Sequence, residues 1–233
     1  MLSTLTSYIK DVVHLIFPHH CEGCGTDVLQ DEQLLCAECL HQLPATNYFA
    51  ITGNPVEKMF YGRMKVELAG AGYYFTKESL VQHLIHQLKY KGNKDVGYYL
   101  GRLIGHQLKE SARFDTIDVL VPLPLNSKKE FKRGYNQAAI ISEGIAAIWQ
   151  KPIVKDAVVR TVFTETQTHQ DRIHRWQNMN GVFAIEDEKA LKGKHILLVD
   201  DIVTTGATLE ACGTAILKIP DTLLSIATAA CTM

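Results

Sequence analysis

The run His195–Ala211, "HILLVDDIVTTGATLEA", constrains the fold more than any other part of the chain. HILLV is a strand that is almost wholly apolar, so both of its sides need cover. Two adjacent carboxylates follow, then small hydroxyl residues around Gly206, then a helix over 207–218. Comparable units surround it. "IDVLV" (117–121), "AVVR" (157–160) and "LLSIATAAC" (223–231) read as strands, and 135–149 reads as a helix with Ala138, Ile141, Ile145 and Ile148 on one face. Apolar strands alternating with helices predict an α/β fold with a parallel sheet covered on both faces. Upstream, "VELAGAGYYF" (66–75) predicts one or two strands, 80–89 and 96–108 predict amphipathic helices, and 44–62 reads as an irregular connector. A chain of 233 residues accommodates one such domain and a small appendage. The expected division is 1–43 and 44–233, with the α/β core at about 113–233.

In open α/β sheets, ligands sit beyond the carboxyl ends of strands. A helix starting near Ala207 offers free N–H groups and the positive end of its dipole to a phosphate. Gly206 allows close approach, and Thr204, Thr205 and Thr208 add hydroxyl donors. Asp200 and Asp201 suit vicinal sugar hydroxyls or a hydrated Mg²⁺. Anion donors beside hydroxyl acceptors fit a sugar phosphate, specifically a ribose 5-phosphate. Neither GxxxxGK[ST] nor a GxGxxG turn occurs.

The appendage carries its own signal. "CEGC" (Cys21, Cys24) and "CAEC" (Cys36, Cys39) are two CxxC pairs whose thiolates suit one structural Zn²⁺, with Gly23 and Gly25 easing the turn. The competing reading is disulfides or redox pairs, which a reducing compartment disfavours and which lack the strand-to-helix context of a redox motif. Cys212 and Cys231 lie in apolar surroundings and are expected to be buried, inert thiols. Residues 1–17 show apolar residues at helical spacing, interrupted by Lys10 and Asp11 and ended by Pro18. This is an amphipathic helix rather than a secretory signal, so the expected location is cytoplasmic. A formal net charge of −1 excludes a bulk basic field. Local basic runs remain, notably Lys128, Lys129, Lys132 and Arg133, which either serve a ligand or are solvated surface.

"HILLVDDIVTTGAT" resembles the signature by which type I phosphoribosyltransferases bind 5-phosphoribosyl-1-pyrophosphate (PRPP). "VPLPL" (121–125) with "RGYNQ" (133–137), "LKYKG" (88–92), "TQTHQDRIHRWQNMNGVF" (166–183) and the double CxxC are similar to the ComF family of that fold. The resemblance covers nearly the whole chain. It implies a PRPP-binding, phosphoribosyltransferase-like protein supporting natural competence, the uptake of single-stranded transforming DNA. The implied partners are single-stranded DNA, bound weakly, and a competence helicase of the ComFA type. Peripheral association with the cytoplasmic face of the inner membrane, through partners, is also implied.

Carried over by position, the resemblance assigns Asp200 and Asp201 to the ribose hydroxyls and, through water, to Mg²⁺. Thr204, Thr205, Gly206, Ala207 and Thr208 hold the 5-phosphate. Pro122 and Leu123 mark the pyrophosphate turn, with Arg133, Asn136 and Gln137 beside it. Residues 161–177 correspond to a hood loop bringing Arg172 and Arg175 to the reaction. Asn136 and Gln137 begin a helix, where their amides contact ligand or cap it. Two features depart from an active transferase: the acid that assists a purine leaving group is absent near Thr204, and Pro122 and Pro124 remove N–H donors from the pyrophosphate turn. The alternatives are an active phosphoribosyltransferase for an unidentified base or amine, and a zinc-knuckle nucleic-acid adaptor with a vestigial ligand site.

Overall fold

A computed structural model describes residues 20–27, 29, 33–161 and 182–232. The chain divides into two compact units, Met1–Leu43 and Pro44–Met233. The helix expected over 1–17 and the hood-loop residues 162–177, with Arg172 and Arg175, lie outside the described residues.

In the first unit, helix α1 (Ala37–His41) starts at Cys36, whose Sγ accepts the N–H of Cys39. Cys21 and Cys39 are buried, as is Leu35.

The second unit is built on four parallel strands in the order β1-β6-β5-β2: β1 (Leu68–Tyr74), β2 (Val119–Pro122), β5 (His195–Val203) and β6 (Leu223–Cys231). The parallel α/β architecture expected from the alternation is present. Leu120, Leu197, Val199, Ala227 and Ala229 point into one apolar core, and Val119, Val121, Ile196, Leu198 and Ile226 into the other. Side chains of a strand alternate between faces, so a run such as HILLV is apolar throughout because both faces are buried. Helices α3 (Leu80–Tyr90), α4 (Lys94–Glu110) and α6 (Gln137–Trp149) supply Leu88, Ile104, Leu108, Ile141 and Ile145 to one core. Helix α8 (Ala207–Ile216) supplies Leu209, Cys212 and Ile216 to the other.

Two expectations are corrected, and one reading left open gains a structure. The run 157–160 does not join the main sheet. Strand β3 (Val158–Arg160) pairs antiparallel with β4 (Phe183–Ile185) in a separate two-stranded ribbon. Only Val158 of β3 is buried, so this strand lacks the double-sided cover that defines the parallel strands. The stretch 44–62 is no mere connector. Ala45 bridges Tyr73, and helix α2 (Pro55–Met59), capped by Asn54, places Val56 and Phe60 in the core. Finally, the basic run near Lys128 is itself a helix, α5 (Ser127–Arg133), capped by the Asn126 side chain and with no buried residue. A short helix, α7 (Glu188–Leu191), leads into β5.

Helices α4 and α6 touch through glycine. A Cβ on Gly101 would run into the Ile141 carbonyl oxygen, and one on Gly144 into that of Tyr98. Overpacking of this kind costs about 1–3 kcal/mol, and in a domain of this size each kcal/mol shifts the Tm by roughly 2–4 °C. Gly144→Ala is therefore expected to lower the Tm by about 2–12 °C in thermal unfolding. An unchanged Tm would mean that the helices part freely.

Candidate functional site

Strand β5 runs through both carboxylates to Val203, with Asp200 opposite Thr228, Ile202 opposite Ala230 and Val203 opposite Cys231 of β6. The sequence reading ended this strand before the acids. It continues because β6 offers a full-length partner. On the other side β2 stops at Pro122, opposite Val199. Asp200 and Asp201 thus stand at the carboxyl end of the sheet, beside the point where β2 turns away.

Each carboxylate has one oxygen engaged. Asp200 Oδ1 accepts the N–H of Asp201 at 2.8 Å, and Asp201 Oδ1 meets Lys89 Nζ at 2.8 Å. Among the described residues no buried side-chain oxygen lacks a partner, so the second oxygens of the pair reach solvent. Burial, and next the charge of Asp201, push the Asp200 carboxyl up to about 8, against the opposing pull of the Asp201 N–H and Lys89. The sequence marks Lys89 as part of the block LKYKG and not as a partner of the acids. Its partner lies 112 positions away in the chain, 201 less 89, and no local pattern marks it.

The acids lead through Thr204 and Thr205 to Gly206, which caps α8 in a left-handed conformation (φ 73°) with no side-chain capping bond. A Cβ there would lie 2.9 Å from both Met59 Sδ and Phe60 Cε1, so the position excludes other residues by space as well as by φ. Thr204, Thr205, Ala207 and Thr208 are exposed. The first-turn N–H groups have no partner within the helix, and Glu210 is the first to bond back, to the Gly206 carbonyl at 2.8 Å. Arg63 braces this loop. Its Nη1 donates to the Thr205 carbonyl at 2.9 Å and its Nε to Glu210 at 3.0 Å. Arg63 was also missed by sequence reasoning, since its role depends on a contact across the fold.

The turn after β2 is poor in donors. Pro122 and Pro124 carry no N–H, and the Leu123 N–H is taken by the Val199 carbonyl at 2.8 Å. Asn136 caps α6 through Ala138 N–H and donates to the Leu123 carbonyl. Gln137 is buried and accepts from Arg133 Nη1 at 2.6 Å. Asn136 and Gln137 are therefore engaged in fixing this turn. Arg133 also lies over the Tyr90 ring at 5.5 Å. Phe131 projects from the neighbouring cationic helix α5 with 92% of its surface exposed, and Tyr90 is 68% exposed.

In the first unit the four sulfurs of Cys21, Cys24, Cys36 and Cys39 lie within 4.8 Å of one another. The Cys24–Cys36 separation is 3.7 Å, matching the roughly 3.8 Å edge of a tetrahedron with 2.3 Å zinc–sulfur bonds. Cys21 Sγ accepts the N–H groups of Gly23 and Cys36. Burial raises the pKa of this thiol, but the N–H groups of Cys36, Cys24 and Gly23 outweigh it and bring it down to about 6. Burial, with the neighbouring thiols, moves Cys39 the opposite way. The Cys21 charge is one of the causes that raise Cys39, and the donor set of four neighbouring thiols fits Zn²⁺. Cys212 and Cys231 are buried, and burial raises both thiols. His195 is buried at the opposite end of β5 from the acids, bonded to Thr116 and Ser225, and serves the fold.

A family model described as the phosphoribosyl transferase domain matches residues 132–230, which takes in β5, α8 and the acid pair but not Lys89. The chain is 26% identical over 198 residues to "Competence protein F" of Haemophilus influenzae, covering 83% of this chain and 76% of that protein. It is 27% identical over 201 residues to "DNA utilization protein YhgH" of Escherichia coli (strain K12), covering 85% and 84%. It is 31% identical over 100 residues to "Competence protein ComFC" of Bacillus subtilis, covering 43% and 38%.

Two predictions follow from this geometry. Protein prepared without chelator is expected to contain one zinc per chain by elemental analysis, and Cys36→Ser to lose it. A metal-free preparation counts against the site. The second concerns Asp200, whose carboxyl holds its proton to higher pH folded than unfolded. The folded state then binds more protons between about pH 4 and about 8, so this residue lowers stability as pH rises through that window. Asp200→Asn keeps the acceptor for Asp201 N–H and removes the charge. Without added divalent cation, its Tm is expected to exceed that of the wild type near pH 8.5, with the gain gone by about pH 3.5. A gain constant with pH would contradict the assignment.

Proposed function

We propose that this chain, a homologue of the competence and DNA-utilization proteins that carries a phosphoribosyl transferase domain, binds PRPP with Mg²⁺ and acts in the handling of transforming DNA. One observation carries the reading: two carboxylates, each with one oxygen engaged, lead directly into a helix N-terminus whose Gly206 cap has no side chain. A ribose 5-phosphate needs both halves. Asp200 and Asp201 accept from its hydroxyls. The first turn of α8 and the hydroxyls of Thr204, Thr205 and Thr208 take its phosphate. Bound Mg²⁺, held through water by the acids, supplies neutralisation of the diphosphate. The four-cysteine unit holds a structural Zn²⁺.

The pyrophosphate half is weaker. The proline-bearing turn has its Leu123 N–H already bonded, and a transferase needs donors where leaving-group charge develops. PRPP is therefore read as a ligand that alters the protein, with turnover on common nucleobases slow or absent. Asp200→Ala with Asp201→Ala removes two charge-assisted hydrogen bonds of roughly 1.5–3 kcal/mol each. The expected loss of Mg²⁺-dependent PRPP affinity, measured by calorimetry, is about a hundredfold or more. Unchanged affinity refutes the site. Multiple-turnover pyrophosphate release that depends on these acids would instead make the protein an active phosphoribosyltransferase.

A second, compatible reading rests on α5. Phe131 and Tyr90 offer exposed rings among Lys91, Lys128, Lys129, Lys132 and Arg133, a combination suited to stacked bases and a phosphate backbone. Cytoplasmic handling of single-stranded DNA beside a helicase of the ComFA type, at the inner membrane through partners, fits this surface. No described helix is long and apolar enough to cross a membrane. Binding to oligonucleotides is expected to be weak, with a salt slope of about −0.7 per phosphate contacted. Phe131→Ala should weaken it roughly five- to a hundredfold, the 1–3 kcal/mol of a lost stack. Tight binding indifferent to Phe131 and the α5 lysines would place the nucleic acid elsewhere.

A further inference from the structure

The geometry points to Lys89 as a positioning residue of the ligand site, one that fixes the Asp201 carboxylate so that its free oxygen is presented to a ligand hydroxyl. The inference rests on the ribose-phosphate reading and adds a determinant outside the matched phosphoribosyl transferase segment, residues 132–230.

The main chain bearing Lys89 is held from both sides. The Tyr135 hydroxyl donates to the Leu88 carbonyl, and Leu88 itself is fully buried. Asn93, which caps α4, donates to the buried Gln87 side chain at 2.9 Å. Tyr90 lies beneath the Arg133 guanidinium. Lys89 therefore projects from an anchored helix end, and its side chain is only 20% exposed. Its ammonium meets Asp201 Oδ1 at 2.8 Å, where the carboxylate is 9% exposed. An ion pair this enclosed is not a solvated surface contact, and at 2.8 Å it holds the ammonium against one carboxylate oxygen. Asp200 has an equivalent clamp, the Asp201 N–H on its own Oδ1. Each acid thus has one oxygen tied, and the other oxygen of each is assigned to a hydroxyl of a vicinal diol. Without Lys89, Asp201 loses the ion pair that holds its Oδ1 in place. Recognition of the diol depends on that orientation.

The test compares ribose 5-phosphate with 2,3-dideoxyribose 5-phosphate, which keeps the phosphate and lacks the diol. Calorimetric titration of the full chain gives the preference for the first over the second. Lys89→Met is expected to weaken ribose 5-phosphate binding about tenfold or more and to bring the preference towards unity, with Lys89→Arg restoring part of it. Loss of a positive charge alone would weaken both sugars alike and leave the preference intact. A purely structural role would lower the Tm and likewise spare the preference. A Lys89→Met protein that keeps the wild-type preference, or binds ribose 5-phosphate more tightly, overturns the inference while leaving the ribose-phosphate reading standing. A wild-type protein with no diol preference overturns that reading and this inference together.

Discussion

The site exists because β2 stops at Pro122 while its neighbour β5 continues to Val203. Up to Val199 the two strands share a ladder, and every β5 side chain has cover on its own face. Beyond that point β5 is paired on one side only, by β6. Two carboxylates can be placed there without burial in a hydrocarbon core, yet on a backbone as rigid as the sheet. Rigid placement on a strand is what a site needs if its acceptors are to match hydroxyls of fixed spacing.

Adjacent carboxylates repel, and enclosing them adds a desolvation penalty. The structure offsets this with groups drawn from two levels of the chain. The Asp201 N–H is local and follows from strand geometry. Lys89 is distant and depends on the docking of α3, secured by Tyr135 and Asn93. Arg63 plays a comparable part at the loop before α8, tying Thr205 to the first turn of that helix. Gly206 itself supplies no side-chain cap, and Thr205 Oγ1 accepts only the Ala207 N–H, at 3.5 Å.

The cysteine unit obeys a different rule. Met1–Leu43 is too short to bury a sizeable core, and its described residues gather around four sulfurs. Four thiolates this close would gain folding free energy directly from a bound Zn²⁺.

The parallel sheet and the course of its strands were legible in the sequence, because double-sided burial leaves runs such as VLV and HILLV that no one-faced strand needs. The acids, the uncapped glycine turn and the four cysteines were legible too, since each is a contiguous pattern whose chemistry is local. The separate β3–β4 ribbon, the helix at Pro55–Met59 and the full length of β5 were not. Each is settled by a partner distant in the chain: Phe183 for Arg160, the core for Val56 and Phe60, Cys231 for Val203. The occupation of Leu123, Asn136 and Gln137 by one another's neighbours likewise emerged only once β2 and α6 were packed. Lys89 shows the division most clearly. Sequence determines that a cation ends a helix, but only the tertiary fold decides which carboxylate it meets, because a charge pair depends on distance in space and not on separation along the chain.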